Sequence, residues 1–370
     1  MASLKIEQVD IYKLYIPLHE PFVISLGKIE NAENIIVVIK TNEGISGFGE
    51  CSPYLSINGE SIDTCFVVGQ YLAKSLKGQD PLDLKGCIKK MDKTIYGNSS
   101  IKSAFDMALY DIASQHAGLP LYEFLGGKID KPLFTDMTVS IGEPEKMAAD
   151  ALKYKEAGFT AIKVKLGQSK EKDVERIRSI RLAIGKDIPL RIDANQGWKV
   201  KTAIEILQAL EEYKIQHCEE PIARWKFMKL KKVKDNSPIP IMADETCCDH
   251  HDAERLIDLE ACDSINIKLG KSGGLYNAKK IIELADKEEM PMQVGGFMES
   301  RLGMTASAHF ALCSPNIHYC DFDTPLMFTT DPVQGGIVYL PNGEIKVPTE
   351  PGLGATIDEA WLQKMEKISV

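Results

Sequence analysis

No stretch of 18 uninterrupted apolar residues occurs in the 370-residue chain, so no segment reads as a membrane-spanning helix. Positive charge is also short: 44 Lys+Arg stand against 53 Asp+Glu. The resulting net charge of −9 is a poor footprint for a binder of nucleic acid or of anionic membranes, so neither is expected as a partner. The opening residues Met1-Ala2-Ser3-Leu4-Lys5-Ile6-Glu7 run straight into charge and show no apolar signal core. The nine cysteines are odd in number and irregularly spaced, whereas a disulfide framework would be denser and even. Reduced thiols in a cytoplasmic protein are expected. Complete phosphate-loop and zinc motifs are missing too. Gly44-Ile45-Ser46-Gly47-Phe48-Gly49 and Leu269-Gly270-Lys271-Ser272-Gly273-Gly274 read as turns, and His250-His251 as a solvated loop. Cys247-Cys248 has no identifiable base partner.

What is present is an ordinary globular composition, 44% hydrophobic and 26% charged, with chain enough for two or three domains and a large core. Residues 6–16 and 34–40 alternate like antiparallel strands, with Thr41-Asn42-Glu43-Gly44 as a hairpin turn. Residues 65–117 turn helical, and the stretch from Ser103 to Ala113 repeats apolar positions at three- and four-residue steps until Gly118-Leu119-Pro120. This first stretch, 1–130, reads as an α+β domain.

After Lys131-Pro132 the texture changes to strands alternating with helices. Candidate strands fall at 135–141, 160–166, 189–193, 215–219, 239–244, 264–268, 292–296 and 317–321. The ends at 165, 193, 219, 244, 268, 296 and 321 are spaced by 28, 26, 25, 24, 28 and 25 residues. Eight strands at this pitch predict an α/β protein with a β/α barrel over 131–323 rather than an open doubly wound sheet. Residues 324–370 are rich in Pro and Gly, too short for a domain, and are expected to fold back on the first one.

The strand ends carry charge: Lys163 and Lys165 on the second, Asp193 on the third, Glu219 on the fourth, Asp244 on the fifth, Lys268 on the sixth, and Asp321 with Asp323 on the eighth. In a β/α barrel these ends converge on one mouth. Charges there are costly to desolvate unless they pair or bind a metal. Three carboxylates on adjacent strands without His or Cys make a hard oxygen site, which selects Mg²⁺ or Mn²⁺ over zinc. Strand alternation alone leaves Glu219 and Glu220 both open. A free lysine is a poor base at neutral pH; burial and a cationic neighbour lower its pKa, which Lys163 is placed to do for Lys165. Lysines on strands two and six face each other across the barrel, so proton removal on one face and return on the other becomes possible.

These residues resemble the enolase superfamily, and its muconate-lactonizing branch in particular, over essentially the whole chain. The helix from Ser103 to Ala113, followed by Gly118-Leu119-Pro120-Leu121, is similar to the family's capping-domain signature, and Lys163-Val164-Lys165 to its Lys-x-Lys. The resemblance implies a modified TIM barrel, (β/α)7β, with an α+β capping domain. It implies that Asp193, Glu219 and Asp244 hold one Mg²⁺, that Lys165 and Lys268 are the acid/base pair, and that Lys163 assists electrostatically. Asp321-Phe322-Asp323 resembles the Asp-x-Asp with which dipeptide epimerases grip a substrate's α-ammonium. Thr135, Gly296 and Met298 are expected to line the pocket. Members specific for Ala-Glu place a cation in the N-terminal capping loop. Here that loop reads Phe22-Val23-Ile24-Ser25-Leu26-Gly27, so Ile24 and Leu26 imply a small or hydrophobic second residue. The implied activity is dipeptide epimerisation at the C-terminal residue of Ala-Xaa, by a homo-oligomeric enzyme. Muconate cycloisomerase, N-acylamino-acid racemase and o-succinylbenzoate synthase are the rivals in the branch, and their substrates offer no ammonium to the aspartates.

Overall fold

A computed structural model describes residues 4–370. The first two strands form one long antiparallel hairpin, Ile6–Ile24 with Gly27–Thr41, continued by Ser46–Cys51. The run Ile35-Ile36-Val37-Val38-Ile39 is apolar at every position because both faces of this sheet are covered. Ile35, Val37 and Ile39 pack under the helices Ile62–Leu76, Leu84–Thr94 and Ser99–Ala117, whereas Ile36 and Val38 join the core that continues into the barrel. The helix Ser99–Ala117 is buried from Ser100 to Ser114 and lies against Ser46–Cys51 at van der Waals limits. A Cβ on Gly49 would stand 1.9 Å from the Ala104 carbonyl oxygen, so only glycine permits this approach.

Eight parallel strands follow in sequential order: Met137–Val139, Ile162–Lys165, Leu190–Asp193, Ile215–Glu219, Ile241–Ala243, Ser264–Lys268, Met292–Gly295 and Ile317–Asp321. The ring closes where Thr135 bridges Cys320 in parallel. Helices intervene between successive strands, which makes a (β/α)7β barrel. Ile162, Val164, Ile192, Cys218, Ile265, Ile267 and Val294 face the helices in the core, leaving the alternate, polar positions for the interior.

The backbone departs from the sequence expectations in three places. The capping loop 22–27 is the tip of the long hairpin, where pairing resumes at Phe22↔Ile29 after an irregularity beginning at Pro17. His250 and His251 open a helix, His250–Asp258, whose first amides are capped by Asp249. Leu269–Ser272 is a short helix that ends at Gly273. Residues 324–370 do return to the first domain: Phe328 bridges Leu18, Gly352 bridges Pro120, the Leu353 amide donates to Asp111, and Lys367–Ser369 joins the first sheet beside Asp10, Ile11 and Tyr12. Val333–Gly335 and Val338–Tyr339 start small ladders whose carbonyls are gathered by Arg301, at the start of the last barrel helix, Arg301–Ala311.

Candidate active site

Parallel register sets the layers of the barrel interior. Thr138 pairs with Lys163 and Lys163 with Arg191; at the next inward level Lys165 pairs with Asp193 and Asp193 with Glu219. Lys268 pairs with Gly295 and Gly295 with Asp321. The side chains at the strand ends are therefore brought to one mouth, and all are buried.

Each proposed metal carboxylate stands against a lysine. Lys165 Nζ lies 2.6 Å from Asp193 Oδ2, and Lys163 Nζ 2.7 Å from Glu219 Oε2. Asp244 is held from both sides, by Lys268 at 2.8 Å and by Lys271 at 2.8 Å. Burial works against the charge on Lys268, but Asp244 and Glu219 outweigh it and hold its pKa above the ordinary lysine range. Lys163 is raised likewise, against burial, by Asp321, Glu219 and Asp193. The sequence reading expected lowered lysines. It counted burial and neighbouring cations, and missed the carboxylates that Lys163 and Lys268 meet in the folded interior.

Glu219 and Glu220 are both buried and turn to opposite tasks. Glu219 faces inward, accepting from Asn266 and Gln293 as well as meeting Lys163. Glu220, at φ 38°, turns away and accepts from the amides of Asp244 and Thr246 and from the Thr246 hydroxyl. It props the segment that carries Asp244. Asn195 and Gln196 also sit at positive φ, so strained backbone gathers at the ends of the third and fourth strands. Three buried hard-oxygen donors on adjacent strands suit a divalent cation of the magnesium type.

A second acidic group lies across the mouth. Oxygens of Asp136, Asp321 and Asp323 lie within 4.8 Å of one another. Asp321 accepts from Lys163 Nζ at 2.8 Å; burial would raise its pKa, yet Lys163, Lys165 and Lys268 hold it at about 2. Asp323 accepts from the Thr138 amide at 2.7 Å, and burial followed by the charge of Asp321 pushes its carboxyl up to about 7.

The remaining expected pocket residues divide. Met298 is buried, its amide donating to Ser52 Oγ, and it lines a cavity of about 560 Å³ together with Leu26, Ile29, Tyr54 and Leu55. Lys28 and Glu30 of the hairpin line that cavity too, whereas Lys163, Lys165, Lys268 and the site carboxylates do not. Ile24 is buried at the tip but does not line it. At Gly296 a Cβ would press on the ends of two buried side chains, Met304 at 2.4 Å and Glu299 at 2.6 Å. Thr135 does not face the mouth: its hydroxyl accepts from the Phe322 amide and donates to the Asp136 carbonyl. Thr138, three residues on, occupies the inward face instead. Lys28 is ion-paired to Glu30 at 2.6 Å, and both are exposed. The aromatic rings nearest the two lysines are Phe22, 5.9 Å from Lys165 Nζ, and Phe297, 4.9 Å from Lys268 Nζ. Sequence reasoning missed Asp136, Arg191 and Lys271. The only available signal was the polar alternation Asp136, Thr138, Ser140 along an otherwise apolar strand.

Residues 6–126 match the N-terminal domain of the mandelate racemase / muconate lactonizing enzyme family, and residues 146–361 match the enolase C-terminal domain-like family. The D-Ala-D/L-Ala epimerase of Cytophaga hutchinsonii is 60% identical over 365 residues, covering 99% of both chains. The L-Ala-D/L-Glu epimerase of Bacillus subtilis is 40% identical, covering 98% of this chain and all of the other. A crystal structure of a dipeptide epimerase from Cytophaga hutchinsonii, complexed with Mg and the dipeptide D-Ala-L-Val, superposes with a TM-score of 0.98 at 60% identity, over 99% of this chain and 100% of that one. With both halves of the chain matched, the fold the same and the strand-end charges in place, the protein belongs to the mandelate racemase / muconate lactonizing enzyme family of the enolase superfamily.

Proposed function

We propose that this chain is a Mg²⁺-dependent dipeptide epimerase that inverts the α-carbon of the C-terminal residue in Ala-Xaa dipeptides, with Xaa small or hydrophobic. The observation that carries the reading is the opposition of Lys165 and Lys268, on the second and sixth of eight strands, across a buried carboxylate layer. A pure binding protein has no use for two opposed bases. Asp193, Glu219 and Asp244 would hold Mg²⁺, or Mn²⁺ in its place, and the relatives' complexes with Mg and dipeptides support this. A divalent cation there supplies positive charge beside the negative charge that develops on a substrate carboxylate when its α-proton leaves.

The chain's own residues do the rest. Lys165 and Lys268 would each take or return the α-proton on one face, shielded from bulk water by their burial. Lys163 ties the two acidic groups together, touching Glu219 and Asp321 at 2.7 and 2.8 Å. Asp321 and Asp323 would hold the substrate's α-ammonium, a role no N-acylated or purely anionic substrate could use. Leu26, Ile29 and Met298 would offer apolar surface to the second side chain; the cavity's one lysine, Lys28, is engaged by Glu30, and Glu33 and Glu60 also line it, which favours hydrophobic Xaa over Glu. We place the enzyme in a reducing compartment such as the cytoplasm, in keeping with its nine free thiols.

Incubating the protein with Mg²⁺ and a library of Ala-Xaa dipeptides in D₂O tests the reading. Mass spectrometry should show one deuterium gained by Ala-Ala and Ala-Val, abolished by chelation. Deuterium uptake only into N-acylamino acids would transfer the assignment to a rival of the same branch.

A further inference from the structure

Asp136 stands immediately ahead of the first barrel strand and is fully buried. Arg191 Nη1 donates to its Oδ2 at 2.8 Å, while Arg191 Nε donates to Gln216 at 2.9 Å and the guanidinium lies 4.8 Å from the Tyr319 ring centroid. This fixes the carboxylate but uses only half of it. Oδ1 has no hydrogen-bond partner. An unpaired carboxyl oxygen in a buried interior is costly, and burial with the charge of Asp321 pushes Asp136 up to about 8, so a cation donating to it would favour the charged form that the interior otherwise opposes.

The geometry around the Asp136 carboxyl group narrows that partner, since one of its oxygens belongs to a trio with Asp321 and Asp323. Three oxygens mutually within 4.8 Å share a point no farther than 4.8/√3, about 2.8 Å, from each, an ordinary N–H···O distance. Charge defines it further. Arg191 stands on Asp136 and Lys163 on Asp321, but Lys163 also meets Glu219 and Asp193, so the three acids keep an excess of at least one negative charge. A cation is therefore favoured at this point, and an ammonium supplies one charge there. A primary ammonium also has three N–H donors for the three acceptors.

We propose that Asp136 is the third acceptor for the substrate's terminal ammonium, fixed by Arg191, and that this trio makes the enzyme selective for primary amines. The inference rests on the epimerase reading and extends it to a residue outside the Asp-x-Asp pair. Asp136 is thereby specificity-determining, and it takes no part in moving the α-proton.

The test compares Ala-Ala with its N-methyl and N,N-dimethyl forms, which keep one positive charge but carry three, two and one N–H. Wild-type kcat/KM should fall stepwise along the series. Asp136→Asn should raise KM for Ala-Ala by about 10- to 100-fold with kcat little changed, as for loss of a charge-assisted hydrogen bond, and should lose most of the preference for Ala-Ala over N-methyl-Ala-Ala. The double variant Asp136→Asn/Arg191→Gln removes both halves of the buried pair and should behave the same way, which covers the case in which the single variant folds poorly. Equal losses on all three substrates would assign Asp136 a merely structural role and overturn the proposal. An unchanged KM, or a flat wild-type series, would overturn it as well. If the wild type exchanges no dipeptide at all, the epimerase reading itself fails and takes this inference with it.

Discussion

Replacing one lysine at a time should separate the two faces of the α-carbon. Lys165 and Lys268 lie four strands apart in an eight-stranded ring, so a substrate α-carbon between them shows a different face to each. Neither change strands a buried carboxylate. In Lys268→Ala, Asp244 keeps Lys271 at 2.8 Å; in Lys165→Ala, Asp193 keeps Lys163 at 3.5 Å. The stability loss should therefore stay below the roughly 3–5 kcal/mol expected when a buried charge loses its only partner. The chemical loss should be larger, because general acid–base groups contribute about 10²- to 10⁴-fold. Epimerisation needs both faces and should fall by that factor in each variant. Exchange at one face needs only the surviving lysine. In D₂O each variant should wash deuterium into one epimer alone, and the two variants should choose opposite epimers. Following each pure epimer by NMR, with circular dichroism to confirm folding, reads this directly. If either variant keeps full epimerisation, or both exchange the same epimer, the two-base arrangement is wrong.

Three further outcomes are expected. Leu26→Arg adds an unpaired cation, beside the Glu30-paired Lys28, to the cavity that Leu26 shares with Met298, and should raise kcat/KM for Ala-Glu relative to Ala-Val; an unmoved ratio would remove this cavity from substrate selection. Asp323, pushed up to about 7 by burial and then by Asp321, loses its charge as pH falls through that value. Because the charged form attracts the ammonium, kcat/KM should fall about tenfold per unit below pH 7; it should also fall above about pH 8, where the substrate amine deprotonates. A profile flat from pH 6 to 7 would contradict this. Gly49→Ala forces the strand Ser46–Cys51 and the helix Ser99–Ala117 apart by about 1.5 Å, from a 1.9 Å clash to ordinary contact near 3.4 Å. Overpacking of this kind costs about 1–3 kcal/mol or more, and an unchanged melting temperature would show that the close approach is not needed.

What the sequence made legible was what local periodicity controls. Candidate strands of five to seven residues recurring about every 25 residues place Lys165, Asp193, Glu219 and Lys268 at or near strand ends with no knowledge of the fold. The charge pairs across the barrel were not legible. Arg191 meets Asp136 from two strands away, 55 residues along the chain, and neither carries a local signal for the other. Lys271 was hidden in a glycine-rich stretch read as a turn, although a short helix turns it onto Asp244. Thr138 was missed in favour of Thr135 because both lie in one predicted strand, and only the closure Thr135↔Cys320 shows which of them is committed to the seam. The hairpin from 17 to 24 was missed because Pro17 and Pro21 break its alternation, and its register is set by the partner strand.

The same pairs explain why this interior is tolerated at all. A barrel of this size can be filled with branched apolar side chains, and replacing buried ion pairs by such residues is often neutral or stabilising. Here Lys163 alone faces Asp193, Glu219 and Asp321, and Asp244 faces two lysines. Packing therefore does not account for them. Nor do they behave as isolated pairs, since Lys163 shares its charge between the carboxylates of the proposed metal site and Asp321 of the acidic trio. A cation arriving at either group changes what Lys163 must neutralise at the other. Metal and ammonium should consequently bind with linked affinities, so that the dipeptide KM depends on Mg²⁺ concentration and the apparent Mg²⁺ affinity depends on dipeptide by the same factor. Calorimetric titration of Mg²⁺ with and without a non-exchangeable dipeptide analogue measures that factor. In Lys163→Met, where the shared charge is gone, the linkage should change markedly. A linkage equal to that of the wild type would mean that the two acidic groups act independently despite the lysine between them.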